Sequence, residues 1–178
     1  MHVDDAIRTR RSHKMFDGRT IPADLLREVI ALAAWAPNHK RTEPWRFSVA
    51  HGPDALAALG EAAALLIGEA KGQKLRAMLG TAAAAIGVAY VTSPGDPLRD
   101  REDFAATACA IENLMLALVA RGLGSYWTTS QALLDPRLAG HWRLGAGEAL
   151  IGVVVLGGPA LEMPAMRQKT VDEITRWL

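Results

Sequence analysis

Cysteine is almost absent from this 178-residue chain: Cys109 stands alone. One thiol excludes an intrachain disulfide and any metal site built from several cysteines of one chain. Charge of one sign is lacking as well. The formal net charge is +1, which gives no long-range pull toward nucleic acid. No apolar run reaches membrane-spanning length without interruption; the longest, Phe104 to Ala120, carries Thr107, Glu112 and Asn113. The N-terminus has no apolar signal core, so a cytoplasmic protein with no membrane partner is the expectation. Several chemical motifs are also missing. There is no His-Glu-x-x-His zinc spacing, no Gly-x-Ser-x-Gly elbow, no dinucleotide-binding glycine pattern and no phosphate loop ending in Gly-Lys-Ser/Thr. The five histidines (His2, His13, His39, His51, His141) are scattered, and no metal site is expected. Cys109 falls in a strongly apolar helical stretch and reads as a small buried hydrophobe, not a nucleophile.

What is present is an ordinary globular composition, 50% hydrophobic and 22% charged, in a chain long enough to bury one sizeable core. We expect a single domain over 1–178. Helical spacing covers Val3 to Thr9 and then the stretch from Pro22 to Pro37. A helix over Asp54 to Lys71, ending near Gly72, is followed by a short one from Gln73 to Leu79. Strands are expected at Arg46–Ala50, Ile86–Thr92, Ser125–Thr129 and Leu150–Leu156, and a short helix at Asp135–Trp142. Arg101 to Arg121 is helical and apolar nearly all round, the pattern of a helix covered on several sides or at a subunit interface. A last helix begins at Thr170, with Glu173 in capping-box spacing. Strands and helices do not alternate regularly, so the fold class is α+β, a small sheet wrapped by helices.

Four segments carry polar chemistry, and each has an ordinary structural reading beside a functional one. In RTRRSHKMF (Arg8–Phe16), an extended backbone puts Arg10, Ser12 and Lys14 on one side, a cradle for a phosphate or simply a solvated basic turn. With no interleaved aromatic platform and a near-neutral chain, nucleic acid is not its expected partner. In APNHKRTEPWRF (Ala36–Phe47), a loop between two prolines presents His39, flanked by Trp35 and Trp45, or else is a surface loop with Trp45 as a core anchor. GLGSYWTT (Gly122–Thr129) either stops a helix or lets the backbone approach a ligand beside Trp127, Thr128 and Thr129. In MRQKTVDEI (Met166–Ile174), Arg167 and Lys169 precede the last helix. No acid/base constellation emerges, so a cofactor that carries its own chemistry is the better expectation.

In this order and spacing, RRSHKMF, PNHKRTEPWRF, GLGSYWTT and VLGGP resemble the FMN-dependent nitroreductase family, in its minimal single-domain branch, from Arg10 to about Glu173. The resemblance implies a nitroreductase-like fold, a mostly antiparallel central sheet wrapped by helices in a domain-intertwined homodimer with FMN at the interface. Carried over, Arg10 and Ser12 hold the flavin phosphate and ribityl chain with Arg11 beside them, and Lys14 lies near the N1/O2 edge of the ring. His39, with Trp35 near it, reaches the flavin from the partner subunit. Trp127, Thr128 and Thr129 line the ring, and Arg167 or Lys169 completes the phosphate site. The implied activity is hydride transfer from NAD(P)H to flavin N5 and on to a nitroaromatic, quinone or similar flat acceptor, with no catalytic side chain beyond Lys14 as a tuning residue. A specialised flavin enzyme of the same fold (dehalogenase, azoline dehydrogenase or flavin-fragmenting type) and a flavin-sequestering protein without turnover are the alternatives. The sequence departs from the family at Asn38, where Ser is frequent, at Arg41 for Asn and at Glu43 for Gln; related minimal enzymes can carry Arg where Trp35 stands. These changes bear on substrate preference.

Overall fold

The computed structural model describes residues 1–166 and 168–178. Four strands form one sheet: β1 (Trp45–His51), β2 (Ala84–Val91), β3 (Gly124–Thr128) and β4 (Glu148–Gly157), in the order β1-β2-β4-β3. All three strand pairings are antiparallel. The central strands β2 and β4 read as unbroken apolar runs because helices cover both faces of the sheet. On one face Ile86, Val88, Val154 and Leu156 join a core with Leu26, Val29, Ile111 and Leu118. These come from helices α2 (Ala23–Ala33) and α5 (Pro97–Val119). On the other, Ala85, Val153 and Val155 meet Leu56, Leu59, Leu79 and Trp142. Those belong to α3 (Pro53–Ala64), α4 (Glu69–Thr81) and α7 (Ala139–Trp142). Each strand's period of two therefore feeds two cores at once.

Small residues in the strands admit large neighbours. A Cβ at Gly87 would come within 2.5 Å of the Trp142 ring, so the indole lies flat on β2. Trp142 is 2% exposed and donates its Nε1–H to the Leu133 carbonyl at 2.9 Å, which satisfies the one polar atom such a residue buries.

Most expected boundaries shift by a few residues, and two helices differ in kind. The helix predicted over Asp54–Lys71 is two helices, because the chain breaks after Ala64 and restarts at Gly68, which has φ +77 and precedes α4. Gly72, read as the end of a helix, sits inside α4. There a Cβ would lie 3.0 Å from the Ala64 Cβ and 3.3 Å from the Ala64 carbonyl, so its role is a close approach of α4 to α3. The predicted helix over Asp135–Trp142 is a 3₁₀ turn (Pro136–Leu138) followed by α7, with a further short helix, α6 (Gln131–Leu134), before it. The first helix, α1 (Val3–Thr9), and the last, α8 (Val171–Ile174), fall where expected, and Thr170 and Glu173 form the reciprocal capping box.

Helix α5 buries one face, including Ala106, Ala110, Leu114 and Leu118. Its outward stripe carries Phe104, Ala105, Cys109 and the partly buried Leu116. Cys109 is thus exposed on this chain, contrary to the reading of it as buried. Four residues on from Ala105 and on the same side, it belongs to the stripe turned away from the sheet. Among the described residues no helix is long and apolar enough to cross a membrane.

Candidate functional site

The N-terminal basic run is extended where it matters. The His13 N–H donates to the Ser125 carbonyl at 2.9 Å, and Ser12 forms an isolated parallel bridge with Ser125, so the run lies along the outer edge of β3. Phe16 then bridges antiparallel to Pro159, and its buried ring packs where Gly157 has no side chain. This anchor fixes the register of every residue upstream. Ser12 and Lys14 face solvent, Arg10 is partly covered, and His13 turns inward onto Gly124, whose absent Cβ would sit 2.9 Å from the imidazole. Burial and the neighbouring Arg11 charge hold the His13 pKa below the usual imidazole value, against a hydrogen bond to the Leu161 backbone.

Lys14 projects into a groove of about 320 Å³ between β3 and α4, lined also by Lys74, Met78, Tyr126, Thr128 and Ser130. Its ammonium stands 4.7 Å from the centre of the Tyr126 ring, a cation–π distance. The Thr128 hydroxyl accepts from the Ser130 N–H at 3.1 Å. A second, mostly apolar cleft of about 270 Å³ opens on the other side of Lys14 against Ser12, Met15, Leu161 and Met163. Arg10 caps the C-terminal end of α1, with Nε 3.5 Å from Glu112 on α5. Among the described residues, no group of three or more His, Cys, Asp or Glu could hold a metal ion.

The remaining residues singled out in the sequence are distributed as follows. The Arg11 guanidinium donates to the Arg8 and Arg10 carbonyls, both at 2.7 Å, and closes the end of α1; its Nε is buried without a partner. Trp127 and Thr128 are consecutive on a strand and so point to opposite faces. Thr128 lines the groove, whereas Trp127 lies over Gly152, where a Cβ would overlap the indole, and its buried Nε1 also has no partner. Thr129 is exposed just past β3. Trp35, 84% exposed, follows α2. His39 is exposed in a 3₁₀ turn (His39–Arg41) that forms a different cleft, of about 460 Å³, with the start of α5. Within one chain, Trp35 and His39 are therefore not gathered with Lys14. Lys169 is exposed in the tail before α8, and Arg167 lies outside the described residues.

Sequence reasoning passed over Tyr126, Lys74 and Ser130. Tyr126 could have been found, since strand alternation puts it on the face of Thr128. Lys74 could not, because only the docking of α4 against β3 brings it to the groove.

The donor set suits a phosphorylated aromatic cofactor. Lys14, Thr128, Ser130 and the Tyr126 ring offer a cation, hydroxyls and a flat wall in one groove, Ser12 borders the adjoining cleft with Lys14, and Arg10 stands apart beside Glu112. Comparison with known proteins agrees in kind. The model of the Nitroreductase family matches residues 7–158. A Bacillus subtilis protein named "Putative NAD(P)H nitroreductase YfhC" is 30% identical over 173 residues, which is 93% of this chain and 88% of that protein. The crystal structure of a nitroreductase-like family protein from Bacillus cereus superposes with a TM-score of 0.89 at 26% identity, covering 100% of this chain and 96% of that one. A Desulfovibrio desulfuricans structure described as a nitroreductase in complex with FMN gives a TM-score of 0.76 at 22% identity, over 98% and 95% of the two chains.

Proposed function

The chain belongs to the nitroreductase family, and from that premise we propose that it is an FMN-dependent NAD(P)H oxidoreductase acting on nitroaromatic or quinone-type acceptors as a cytoplasmic homodimer. The observation that carries this reading is the groove at the edge of β3, where Lys14 stands over Tyr126 beside the Thr128 and Ser130 hydroxyls. FMN, when bound, supplies the two-electron chemistry, accepting hydride from the nicotinamide and passing it to the acceptor. The protein's residues do the rest. Arg10 and Ser12 hold the phosphate and ribityl end by charge and hydrogen bonding, with Arg11 beside them and Lys169 or Arg167 completing that end. The ammonium of Lys14 places a fixed positive charge at the redox edge, where it favours the negatively charged form of the cofactor. Thr128 and Thr129 would meet the polar edge of the ring, whereas Trp127, turned to the opposite face of the sheet over Gly152, would support that wall only from behind.

The homodimer supplies what one chain leaves apart. His39 lies in a cleft separate from Lys14, and Trp35 is almost fully exposed after α2. A second copy covering the apolar stripe of α5 brings these residues to the partner's groove. The departures at Arg41 and Glu43 alter charge at that mouth, while Asn38 keeps a hydrogen-bonding side chain, and so they bear on which acceptor is taken.

The test is direct. Purified protein is expected to be yellow, with a flavin spectrum bleached by NADPH or NADH, and to turn over nitrofurazone and menadione. A colourless protein that takes up no added FMN overturns the reading. A reducible flavin with no turnover of either acceptor points to a specialised flavin enzyme of this fold, and a bound flavin that neither nicotinamide reduces points to a sequestering protein.

A further inference from the structure

Asp103 is the only carboxylate among the described residues that is buried, at 2% exposure. A carboxylate loses its hydration on burial and must be repaid by strong partners, so its partners are informative. Its Oδ1 accepts from the Thr42 hydroxyl at 2.5 Å, a short charge-assisted bond between residues 61 apart in the chain. Its Oδ2 faces the Arg99 Nε at 3.5 Å, one turn back on α5. The Asp103 carbonyl accepts from the buried Thr107 hydroxyl at 2.8 Å, which braces this turn of the helix.

Thr42 belongs to the loop between Pro37 and Pro44, which holds three of the four non-glycine residues with positive φ among the described residues. Lys40, Arg41 and Glu43 have φ of 53°, 55° and 43°. The left-handed region is unfavourable for residues with a Cβ, and a run of them survives only where the surroundings fix it. Two fixings are local: the Glu43 N–H donates to Asn38 Oδ1 at 3.1 Å, and the Thr42 N–H to the His39 carbonyl at 3.3 Å. The third, Thr42 to Asp103, fastens the loop to α5 across the floor of the cleft that His39 borders.

We propose that Asp103 is a positioning residue: acting through Thr42, it holds the strained loop so that His39 is presented to the flavin bound by the partner subunit. The proposal rests on the reading that His39 reaches a partner's flavin. Asp103 and Thr42 line the cleft beside His39, and the proposal gives neither a contact with the flavin. The buried carboxylate, paired with Arg99 on a helix turn that Thr107 braces, gives the hydroxyl a fixed anchor, and the hydroxyl turns that fixity into one loop conformation.

Thr42→Val keeps the shape and removes the donor, whereas Thr42→Ser keeps the donor. In the full-length protein, Thr42→Val is expected to speed amide hydrogen exchange over residues 38–43 about tenfold and to weaken the FMN dissociation constant about tenfold, the scale of one lost bond to a charged group. Turnover at saturating FMN should change less, and Thr42→Ser should match wild type in every measurement. If Thr42→Val does not fold, Asp103→Asn, which keeps the size and removes the charge, carries the same expectation. A Thr42→Val protein that is merely less stable, with unchanged FMN affinity, overturns the proposal while leaving the functional reading intact. Wild type that takes up no FMN overturns both.

Discussion

Arg10 and Lys14 lie on one short extended run, yet their surroundings separate their roles. Arg10 is paired with Glu112 at 3.5 Å, so a phosphate has to compete with a carboxylate for it. Lys14 meets an aromatic face and no carboxylate pairs with it among the described residues. Arg10→Ala should therefore weaken FMN retention about tenfold or more, in line with loss of a charge-assisted bond, as read by fluorescence titration. Lys14→Ala should mainly shift the flavin potential and turnover. Equal flavin loss in both variants, with unchanged potential in whatever holoenzyme is recovered, would refute that division. Beside them, His13 makes a statement about pH. Its folded pKa is held below 6.5, chiefly by burial, so the unfolded chain binds its proton more readily. Stability from the neutral ring is complete above 6.5 and is lost as pH falls through the lower folded value. Thermal midpoints across pH 8 to 5 should drop for wild type more than for His13→Asn, and parallel curves would contradict this.

At the scale of elements, the strands were legible because β-branched, apolar runs between glycine and proline breaks have few other uses, as in Leu150–Leu156 within β4. The split between α3 and α4 was not, because Gly68 and Gly72 look alike in sequence. Only contact tells them apart: Gly68 has φ +77 and open space, whereas Gly72 touches Ala64. The same contrast makes a prediction. Gly152 lies under Trp127 with no room for a Cβ, so Gly152→Ala should destabilise by about 1–3 kcal/mol through overpacking and shift the Trp127 fluorescence. Gly80, inside α4 with nothing within 4 Å of a Cβ, should gain about 0.5–1 kcal/mol on Gly80→Ala. Denaturant midpoints of the two variants test the pair, and the same sign in both would mean that the contacts do not govern them.

For the whole molecule, large apolar residues are exposed on several elements, and two groups of them bear on assembly. One is the outward stripe of α5, with Phe104 beside Cys109; the other is the tail, with Leu161, Met163, Val171, Ile174 and Trp177. A patch of this kind on a water-facing surface normally marks an interface, and the domain-intertwined homodimer we propose gives it an occupant. Light scattering after gel filtration should report a dimer for the full chain. Removing residues 168–178 should shift it toward monomer and lower FMN occupancy, because the groove and the His39 loop then lose their common frame. A truncated chain that stays dimeric and fully loaded would remove the tail from that role.

What the sequence determined by itself was local. Periodicity marked helices and strands, Pro and Gly marked their breaks, and the spacing of RRSHKMF, PWRF and GLGSYWTT carried the family resemblance. The capping box at Thr170 and Glu173 was readable for the same reason, since both partners lie within one turn. Tertiary structure alone decided which faces meet. It brought Lys74 and Tyr126 to Lys14, turned Trp127 and Thr128 to opposite sides of the sheet, placed Cys109 outside and drew Asp103 in beneath Thr42. Such pairings depend on how helices dock on the two faces of one sheet, and residues 61 apart carry no mark in the sequence of the bond they will make.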